Sequence, residues 1–244
     1  MTMEQHGNRF SQTVSLVAGG TGGLGRAVSL KFLTEGAVVV TTYRTQAEFD
    51  ELLQAAGANA ARLEGHRVDV TDEAATRRLT EEIVGRHGHL DALVNTVGGY
   101  AGGVKLHELD TKVLDQMLAL NLRSGYALAR AVLPAMLSKG RGSIVNIAAK
   151  AALEHPPRAA AYAASKAAAL ALMSSLAAET LGTGVRVNSV LPSVIDTAAN
   201  RKSMPKADFA KWPKPEEIAR VVLFLCSNDA EVIHGAAIPV YGGR

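Results

Sequence analysis

Short apolar runs alternate with amphipathic stretches along most of this chain. The runs are rich in Val, Ile and Leu, which is typical of buried parallel strands. They occupy residues 13–18, 37–42, 62–68, 92–95, 142–147, 185–190 and 236–241. Because helical patterns lie between them, the order predicts about seven parallel strands with helices on both faces, a doubly wound, Rossmann-like α/β fold.

The intervening segments carry helix signals. Helical patterns cover residues 24–35, 46–56, a stretch capped by Thr71 or Asp72, 110–137, a stretch from about 159, and one with Pro215 in its first turn. The 110–137 pattern is too long for one ordinary helix, so we expect two consecutive helices. The chain has neither an internal repeat nor a dividing linker. We therefore expect one domain over residues 1–244, with residues 1–12 as a flexible N-terminal tail.

Composition narrows the functional classes. The 244 residues are 48% hydrophobic, and the net charge of +3 is spread along the chain, which argues against nucleic-acid binding. Cys226 is the single cysteine, so an internal disulfide is excluded and a cytoplasmic location is expected. The Ala-rich stretch 159–181 is interrupted by Lys166 and Glu179, which argues against a membrane span. The seven histidines have no metal-ligand spacing, so we expect no metal site.

The first strand runs into a glycine-rich turn that opens the first helix, Gly19-Gly-Thr-Gly-Gly-Leu-Gly25. The turn satisfies the generic dinucleotide-binding spacing of glycines and also a wider spacing, Gly19-x-x-x-Gly23-x-Gly25. Glycines there let backbone N–H groups and the helix dipole meet a pyrophosphate. We predict cofactor contacts from Gly19, Thr21, Gly23, Leu24 and Gly25.

The end of the second strand bears on the choice of nicotinamide cofactor. An acid at this point usually bonds the ribose 2′-OH of NAD, whereas NADP sites lack it and offer an arginine. Here the sequence is Thr42-Tyr43-Arg44, and no carboxylate precedes Glu48. The guanidinium of Arg44 suits a 2′-phosphate, although an ordinary exposed arginine would look the same. We therefore expect NADP(H) to be favoured over NAD(H), with Tyr43 and Arg44 at the site.

A tyrosine and a lysine four residues apart form the candidate proton-transfer pair. Tyr162 and Lys166 lie on one face of the predicted helix, next to the strand 142–147. A cation close to a phenol favours the phenolate, so we expect Lys166 to lower the pKa of Tyr162.

Several motifs together resemble the short-chain dehydrogenase/reductase family over essentially the full length of the chain. They are the glycine turn, Asp69-Val70, Asn95-Thr-Val-Gly98, Asn121, the Tyr162-x-x-x-Lys166 pair and residues 192–197. The resemblance implies that Asp69 and Val70 contact adenine. It also implies that Asn121 holds a water for proton relay and that Lys166 bonds the nicotinamide ribose. Further cofactor contacts implied by it come from Asn95, Gly98, Pro192, Val194, Ile195 and Thr197.

One position departs from the family pattern. The family has a serine thirteen residues before the tyrosine, where this chain has Ala149. Neither Ser143, inside a strand, nor Ser165, inside the Tyr-Lys motif, is placed to replace that hydroxyl. Three explanations remain open: a lost activity, an altered residue in this chain, and a substrate that does not need the serine.

A closer resemblance favours the third explanation. Residues 149–153, the loop 98–103 and residues 200–212 resemble the dihydropteridine reductase branch of the family, which also lacks the serine. This resemblance implies hydride transfer to a quinonoid dihydropterin, a conjugated imine without a carbonyl carbon to attack. Tyr100 could stack on such a flat ring near Ala149, or it could simply cover the core.

Three functions stay open from the sequence. The first is an NAD(P)H-dependent reductase of a quinonoid dihydropterin-like small molecule. The second is a general carbonyl or quinone reductase that tolerates alanine at 149, and the third is a nucleotide-binding regulatory protein with decayed catalysis. The small residues of 159–181 allow close helix packing, and the resemblance implies a homotetramer or homodimer.

Overall fold

Seven parallel strands form one sheet in the computed structural model, which describes residues 9–243. The strands are Val14–Ala18 (β1), Val38–Tyr43 (β2), Leu63–Arg67 (β3), Ala92–Asn95 (β4), Gly142–Ile147 (β5), Val185–Pro192 (β6) and Ala237–Val240 (β7). Their spatial order is β3-β2-β1-β4-β5-β6-β7. This order confirms the predicted doubly wound architecture.

Helices cover both faces of the sheet. They are Gly23–Thr34 (α1), Gln46–Ala56 (α2), Glu73–His87 (α3), Thr111–Leu118 (α4), Ser124–Lys139 (α5), Ala151–Glu154 (α6), Ala160–Thr180 (α7), Ala198–Ser203 (α8) and Pro215–Cys226 (α9). Short 3₁₀ turns lie at Gly57–Arg62, Leu106–Glu108, Phe209–Lys211 and Asn228–Ala230. The Asp72 side chain caps α3 by accepting from the Ala74 and Ala75 N–H groups. Of the two predicted caps, Thr71 and Asp72, the structure therefore has Asp72.

Side-chain alternation along the strands divides the core into two layers. On β5, Val145 packs with α1 and α9 on one face of the sheet. Its neighbour Ile144 packs with α3, α5 and α7 on the other face. Successive strand residues point to opposite faces, and both faces are apolar here. The continuous apolar runs in the sequence follow from this double burial.

The order in which strands are added reverses at β1, and this places the candidate site. β1 pairs with β2 on one side and with β4 on the other. Ligands of doubly wound folds bind in the crevice outside the carboxyl ends of such strands. The glycine turn after β1 and the loop after β4 meet here, and the Thr96 hydroxyl donates to the Ala18 carbonyl at 2.7 Å.

The long helical pattern at 110–137 forms two α-helices joined without a break. A five-residue π-helical turn, Ala119–Arg123, connects α4 to α5. The two helices that we expected are therefore continuous, and Asn121 lies inside the wide turn. The Ser124 hydroxyl donates to the Leu120 carbonyl at 2.6 Å within this region. π-turns of this kind occur frequently at functional sites.

The prediction of a flexible N-terminal tail is wrong for residues 9–12. Residues 1–8 lie outside the described part of the chain. Phe10 is buried and packs edge-on against Phe32 with ring centroids 4.9 Å apart. Its N–H donates to the Glu35 carbonyl at 2.8 Å, and Arg9 pairs with the Glu35 carboxylate at 2.8 Å. The reason is that α1 leaves an apolar gap beside Phe32 that Phe10 fills.

Helix α7 is the one helix of residues 9–243 that is long and apolar enough to cross a membrane, by length and composition alone. One side of it is buried in this fold, where Met173 and Ala177 join the core beneath the sheet. The same helix also carries Lys166, which is 5% exposed.

Candidate active site

The glycine turn presents uncapped backbone N–H groups at the start of α1. Gly19 has a φ of +73°, a backbone angle that residues other than glycine rarely adopt. The Gly22 N–H donates to the Gly19 carbonyl at 3.0 Å and closes the turn. Gly22 caps α1 without any side-chain hydrogen bond. The first N–H groups of α1 therefore have no side-chain acceptor at their cap, which favours an anion such as a pyrophosphate.

Side chains at the other glycines would close this turn. A Cβ at Gly20 would overlap the Thr41 hydroxyl, and a Cβ at Gly25 would overlap the Gly19 carbonyl. A Cβ at Gly23 would lie 2.8 Å from Cγ2 of Thr197. The turn thus faces the segment that follows β6 across a gap that only glycine leaves open. These residues fit a dinucleotide phosphate.

Other members of the predicted cofactor set contribute through their backbone. The Leu24 side chain is buried in the core beside β1, so only its N–H can reach a ligand. Asn95 is 2% exposed, and its amide donates to Asn146 at 2.9 Å and accepts from the Val97 N–H at 3.2 Å. Asn95 therefore shapes the end of β4 instead of lining the crevice with its side chain.

The adenosine end of the predicted site carries opposite charges. Asp69 accepts from the Thr71 N–H at 2.9 Å and from its hydroxyl at 2.7 Å. These two hydrogen bonds, with a smaller attraction from Arg44, hold the pKa of Asp69 below its ordinary value. Tyr43 stacks on Phe49 with centroids 4.9 Å apart, and Val70 is buried beside Asp69. The structure thus brings together the residues predicted at the ends of β2 and β3.

One charged residue of this region was missed by sequence reasoning. The Thr21 hydroxyl donates to the Glu48 carboxylate at 3.2 Å, so a negative charge stands at the glycine turn. The pattern Thr45-x-x-Glu48 has the form of a helix capping box, which offers an ordinary explanation for the glutamate. However, Thr45 makes no side-chain cap, and Glu48 points to Thr21 instead. The absence of this capping bond was not visible in the sequence.

The segment after β6 borders the other side of the crevice. The Pro192 carbonyl accepts from the Lys150 N–H at 2.8 Å, which ties β6 to the residue after Ala149. Val194 is 37% exposed, whereas Ile195 packs against the core. The Thr197 hydroxyl caps α8 and its methyl group faces Gly23. Val194 and Thr197 are therefore the members of this segment with surface available to a ligand.

Burial governs the electrostatics of both Lys166 and Tyr162. Its Nζ donates to the Ile147 carbonyl at 2.9 Å, and burial lowers its pKa to about 8. The pKa of Tyr162 is raised to about 12, first by burial of the phenol and then by the nearby Tyr100. The phenol of Tyr162 therefore lacks the lowered pKa that we expected, because burial of the phenol raises it.

Asn121 projects from the π-turn into the centre of the site. Its Oδ1 accepts from the Gly99 N–H at 2.9 Å, and its Nδ2 donates to the Gly99 carbonyl at 3.1 Å. A Cβ at Gly98 would lie 2.8 Å from Oδ1 of Asn121 and 3.0 Å from Nζ of Lys166. The two polar atoms thus border one small space, and it exists because residue 98 is glycine.

Ala149 and Tyr100 are the two residues predicted to contact the substrate. Ala149 is 7% exposed and has no side-chain donor for a substrate oxygen. As expected, neither serine replaces it: the Ser143 hydroxyl donates to the Leu225 carbonyl at 3.1 Å, and the Ser165 hydroxyl to the Tyr162 carbonyl at 2.8 Å. The Tyr100 ring meets the Tyr162 ring edge-on at 4.9 Å while remaining 68% exposed.

One large cleft lies away from these residues. A cleft of about 940 Å³ lies between α9 and residues 196–213, and its lining includes none of Tyr162, Lys166 and Asn121. Within residues 9–243, no group of three or more His, Cys, Asp or Glu side chains could hold a metal ion. The catalytic candidates lie at the carboxyl edge of the sheet, where Asn121 and Lys166 are buried.

A glycine turn that fits a phosphate, in a doubly wound sheet that also carries a tyrosine–lysine pair, is typical of an NAD(P)-dependent oxidoreductase. Residues 13–208 match the family model described as short chain dehydrogenase. The chain belongs to the short-chain dehydrogenase family.

Relatives cover nearly the whole chain. It is 30% identical over 243 residues to 3-oxoacyl-(acyl-carrier-protein) reductase FabG from Thermotoga maritima, covering 96% of this chain and 98% of that protein. It is 32% identical over 244 residues to D-threitol dehydrogenase from Mycolicibacterium smegmatis, covering 96% and 94%. These relatives are named as oxidoreductases, and they do not show a particular closeness to dihydropteridine reductase.

Solved structures give the same fold and two cofactors. A short-chain type dehydrogenase/reductase from Mycobacterium ulcerans superposes with a TM-score of 0.91 at 26% identity, over 96% of this chain and 90% of that one. ElxO with NADP bound has a TM-score of 0.89 at 26% identity, covering 94% and 97%. Carveol dehydrogenase from Mycobacterium avium, in complex with NAD, has a TM-score of 0.88 at 25% identity, covering 97% and 98%. Similar structures therefore hold either nucleotide.

Proposed function

We propose that this chain is an NAD(P)H-dependent reductase of a flat, conjugated small molecule of the quinonoid dihydropterin type. The observation that carries the proposal is the edge-on contact of the exposed Tyr100 ring with Tyr162, in a chain that has Ala149 where the family has a serine. The site offers a proton donor and an aromatic face, but at position 149 it offers no hydroxyl to orient a carbonyl. A conjugated imine needs the proton and the aromatic face and does not need the hydroxyl.

The residues would share the work as follows. When bound, NAD(P)H supplies a hydride, which carries two electrons and one hydrogen. Tyr162 donates the accompanying proton to the substrate nitrogen, so the substrate gains two hydrogens in total. Lys166 holds the nicotinamide ribose, and its buried ammonium is fixed by donating to the Ile147 carbonyl. Asn121 supports the return of a proton through the space beside Gly98.

The cofactor preference rests on two opposing charges. Arg44 offers a guanidinium for a 2′-phosphate, and this supports NADP(H) as the favoured cofactor. Glu48 at Thr21 opposes it, because a carboxylate repels a phosphate and accepts well from a ribose hydroxyl. We propose NADP(H) on the ground that no acid stands at the end of β2.

Assembly and location are part of the same proposal. Ala164, Ala171 and Ala178 lie exposed on α7, so a second copy could approach this helix closely. We propose a cytoplasmic homo-oligomer, a tetramer or a dimer, whose partner is a small-molecule substrate. Sedimentation of the purified chain measures the number of copies.

A second candidate is a general carbonyl or quinone reductase. The relatives in its favour are a 3-oxoacyl reductase and a polyol dehydrogenase, each aligned over 96% of this chain. A substrate panel separates the two candidates: NAD(P)H oxidation is followed with quinonoid dihydropterin, quinones and ketones. Turnover of ketones alone would refute the pterin proposal, and nucleotide binding without turnover of any substrate would indicate a regulatory protein.

Two variants, assayed with the same substrates, test the roles of Tyr162 and Ala149. Tyr162→Phe should lower the turnover number for the pterin by about 10²–10⁴ with nucleotide affinity retained, because only the proton donor is lost. Ala149→Ser should raise ketone turnover by about 10²-fold while leaving pterin turnover within about threefold, because the hydroxyl assists a carbonyl oxygen only. If the serine accelerates the pterin as strongly as the ketones, Ala149 is no guide to the substrate.

A further inference from the structure

Ser165 connects the two elements that carry the proton-transfer residues. Its hydroxyl is fully buried and donates to the Tyr162 carbonyl at 2.8 Å, one turn earlier on α7. The same oxygen accepts from Nδ2 of Asn121 at 2.9 Å, across 44 residues of sequence. A hydroxyl has one hydrogen, so once it bonds Tyr162 it can only accept from its other neighbour.

This restriction sets the orientation of the Asn121 amide. Its two Nδ2 hydrogens point to Ser165 and to the Gly99 carbonyl, and its Oδ1 takes the Gly99 N–H. Oδ1 is therefore held toward the space beside Gly98 that Lys166 also borders. Without the serine oxygen, one buried N–H of Asn121 would keep only the sulfur of Met117, 3.8 Å away, as a weak acceptor.

We propose that Ser165 is a positioning residue that holds Asn121 with its carbonyl oxygen facing Lys166. The placement of Asn121 by Ser165 rests on hydrogen bonding alone. Its effect on turnover rests on the proposed function. Ser165 thus has a role that is distinct from the missing serine at 149, because its oxygen is buried and committed to two protein partners.

The competing explanation is an ordinary helix serine that bonds only its own backbone. Ser174 is such a residue on the same helix: it is exposed, and its hydroxyl donates to the Leu170 carbonyl at 3.0 Å. Ser174→Ala is therefore the matched control for Ser165→Ala. Ser165→Cys keeps nearly the size of serine but accepts weakly, so it separates packing from hydrogen bonding.

The first readout needs no substrate. The Gly99 amide is protected by Asn121, so its hydrogen exchange should become about tenfold faster in Ser165→Ala and Ser165→Cys. The amide of Val94, inside β4, serves as an internal reference for global opening and should be unchanged. Equal Gly99 exchange rates in wild type and both variants would overturn the proposal. The same acceleration of Gly99 exchange in Ser174→Ala would also overturn it.

The second readout is the pH profile of NAD(P)H oxidation. Both Ser165 variants should lower the turnover number about tenfold with KM within about twofold, and should shift the apparent pKa of the profile. An unchanged profile in an active enzyme would refute the positioning role. If wild type turns over no substrate, the proposed function fails, and the Gly99 exchange still decides the placement of Asn121 by Ser165.

Discussion

The Tyr100 ring stands edge-on to the Tyr162 ring, with centroids 4.9 Å apart and planes at 73°. Tyr100 belongs to the glycine-rich loop after β4, whereas Tyr162 belongs to α7. This contact joins an exposed loop to a mostly buried phenol, and Tyr100 contributes to the raised pKa of Tyr162. The loop therefore affects both the shape of the site and its proton chemistry.

Replacing Tyr100 should weaken the hold on a flat substrate. For Tyr100→Ala we expect KM for the pterin to rise about 2–10-fold, which corresponds to the roughly 0.5–1.5 kcal/mol of an aromatic pair. Tyr100→Phe should retain most of the affinity because it keeps the ring. Steady-state kinetics measure both variants. Tyr126→Ala, a change at a partly exposed tyrosine on α5, is the control, and an equal effect there would contradict a specific contact.

Filling the space beside Gly98 should impair catalysis without unfolding the chain. In Gly98→Ala the new methyl group would press on Oδ1 of Asn121 and on Nζ of Lys166, at 2.8 and 3.0 Å. We expect the turnover number to fall by about tenfold or more, since proton relay needs that space. Gly85→Ala on α3, where a Cβ meets nothing within 4 Å, is the control. Full activity of Gly98→Ala would remove the relay proposal.

The pKa of Lys166 should leave a signature in the pH dependence of stability. Between pH 8 and 10.5 the unfolded chain binds a proton on this lysine that the folded chain has released. The free energy of unfolding should therefore rise with pH through that window, by about 3 kcal/mol in total, and stay constant below it. The raised pKa of Tyr162 acts with the opposite sign, lowering stability as pH increases from 10 to about 12.

Urea unfolding of wild type and Lys166→Met at several pH values measures this term. The free energy of unfolding of wild type minus that of Lys166→Met should increase with pH above 8, because methionine cannot titrate. Lys112→Met, at an exposed lysine near the start of α4, should show no such increase. A flat difference for Lys166→Met would mean that the lysine keeps its ordinary pKa in the folded chain.

The two charges at the adenosine end should act in opposite directions. Arg44→Ala should weaken NADPH binding by about tenfold and NADH binding much less, since a guanidinium–phosphate contact is lost. Glu48→Gln should strengthen NADPH binding, because a charge that repels the 2′-phosphate is removed. It should weaken NADH binding, because a carboxylate acceptor for the ribose hydroxyl is lost. Nucleotide fluorescence titration measures all four affinities. Equal changes for the two nucleotides in both variants would show that neither residue reads the 2′ position.

Most of the fold was predictable because a parallel sheet buried on both faces leaves continuous apolar runs, as at 142–147. The glycine turn and the Tyr162–Lys166 pair were also visible, since their chemistry depends on local spacing. The contacts that refine the site were not. Thr21 meets Glu48 across 27 residues, and Asn121 meets Ser165 across 44, so neither pair has a local pattern.

The raised pKa of Tyr162 was missed for a related reason. Spacing on a helix shows that two side chains share a face, but burial and the Ile147 carbonyl decide where the Lys166 charge acts. The π-turn likewise depends on tertiary contacts around Asn121, because the flanking residues 111–139 all read as ordinary helix. The role assigned to each site residue by family resemblance stays a prediction until the variants are measured.

The strand order has a consequence for how activity returns during refolding. β1 must pair with β4, and β5 with β6, before the glycine turn, Asn121 and Tyr162 can meet. Such non-local pairings form late and slowly, because a long loop must close before they stabilise anything. A collapsed intermediate with helices in place would have no catalytic site. Recovery of enzyme activity should therefore follow the slowest folding phase, well after the far-ultraviolet signal of the helices.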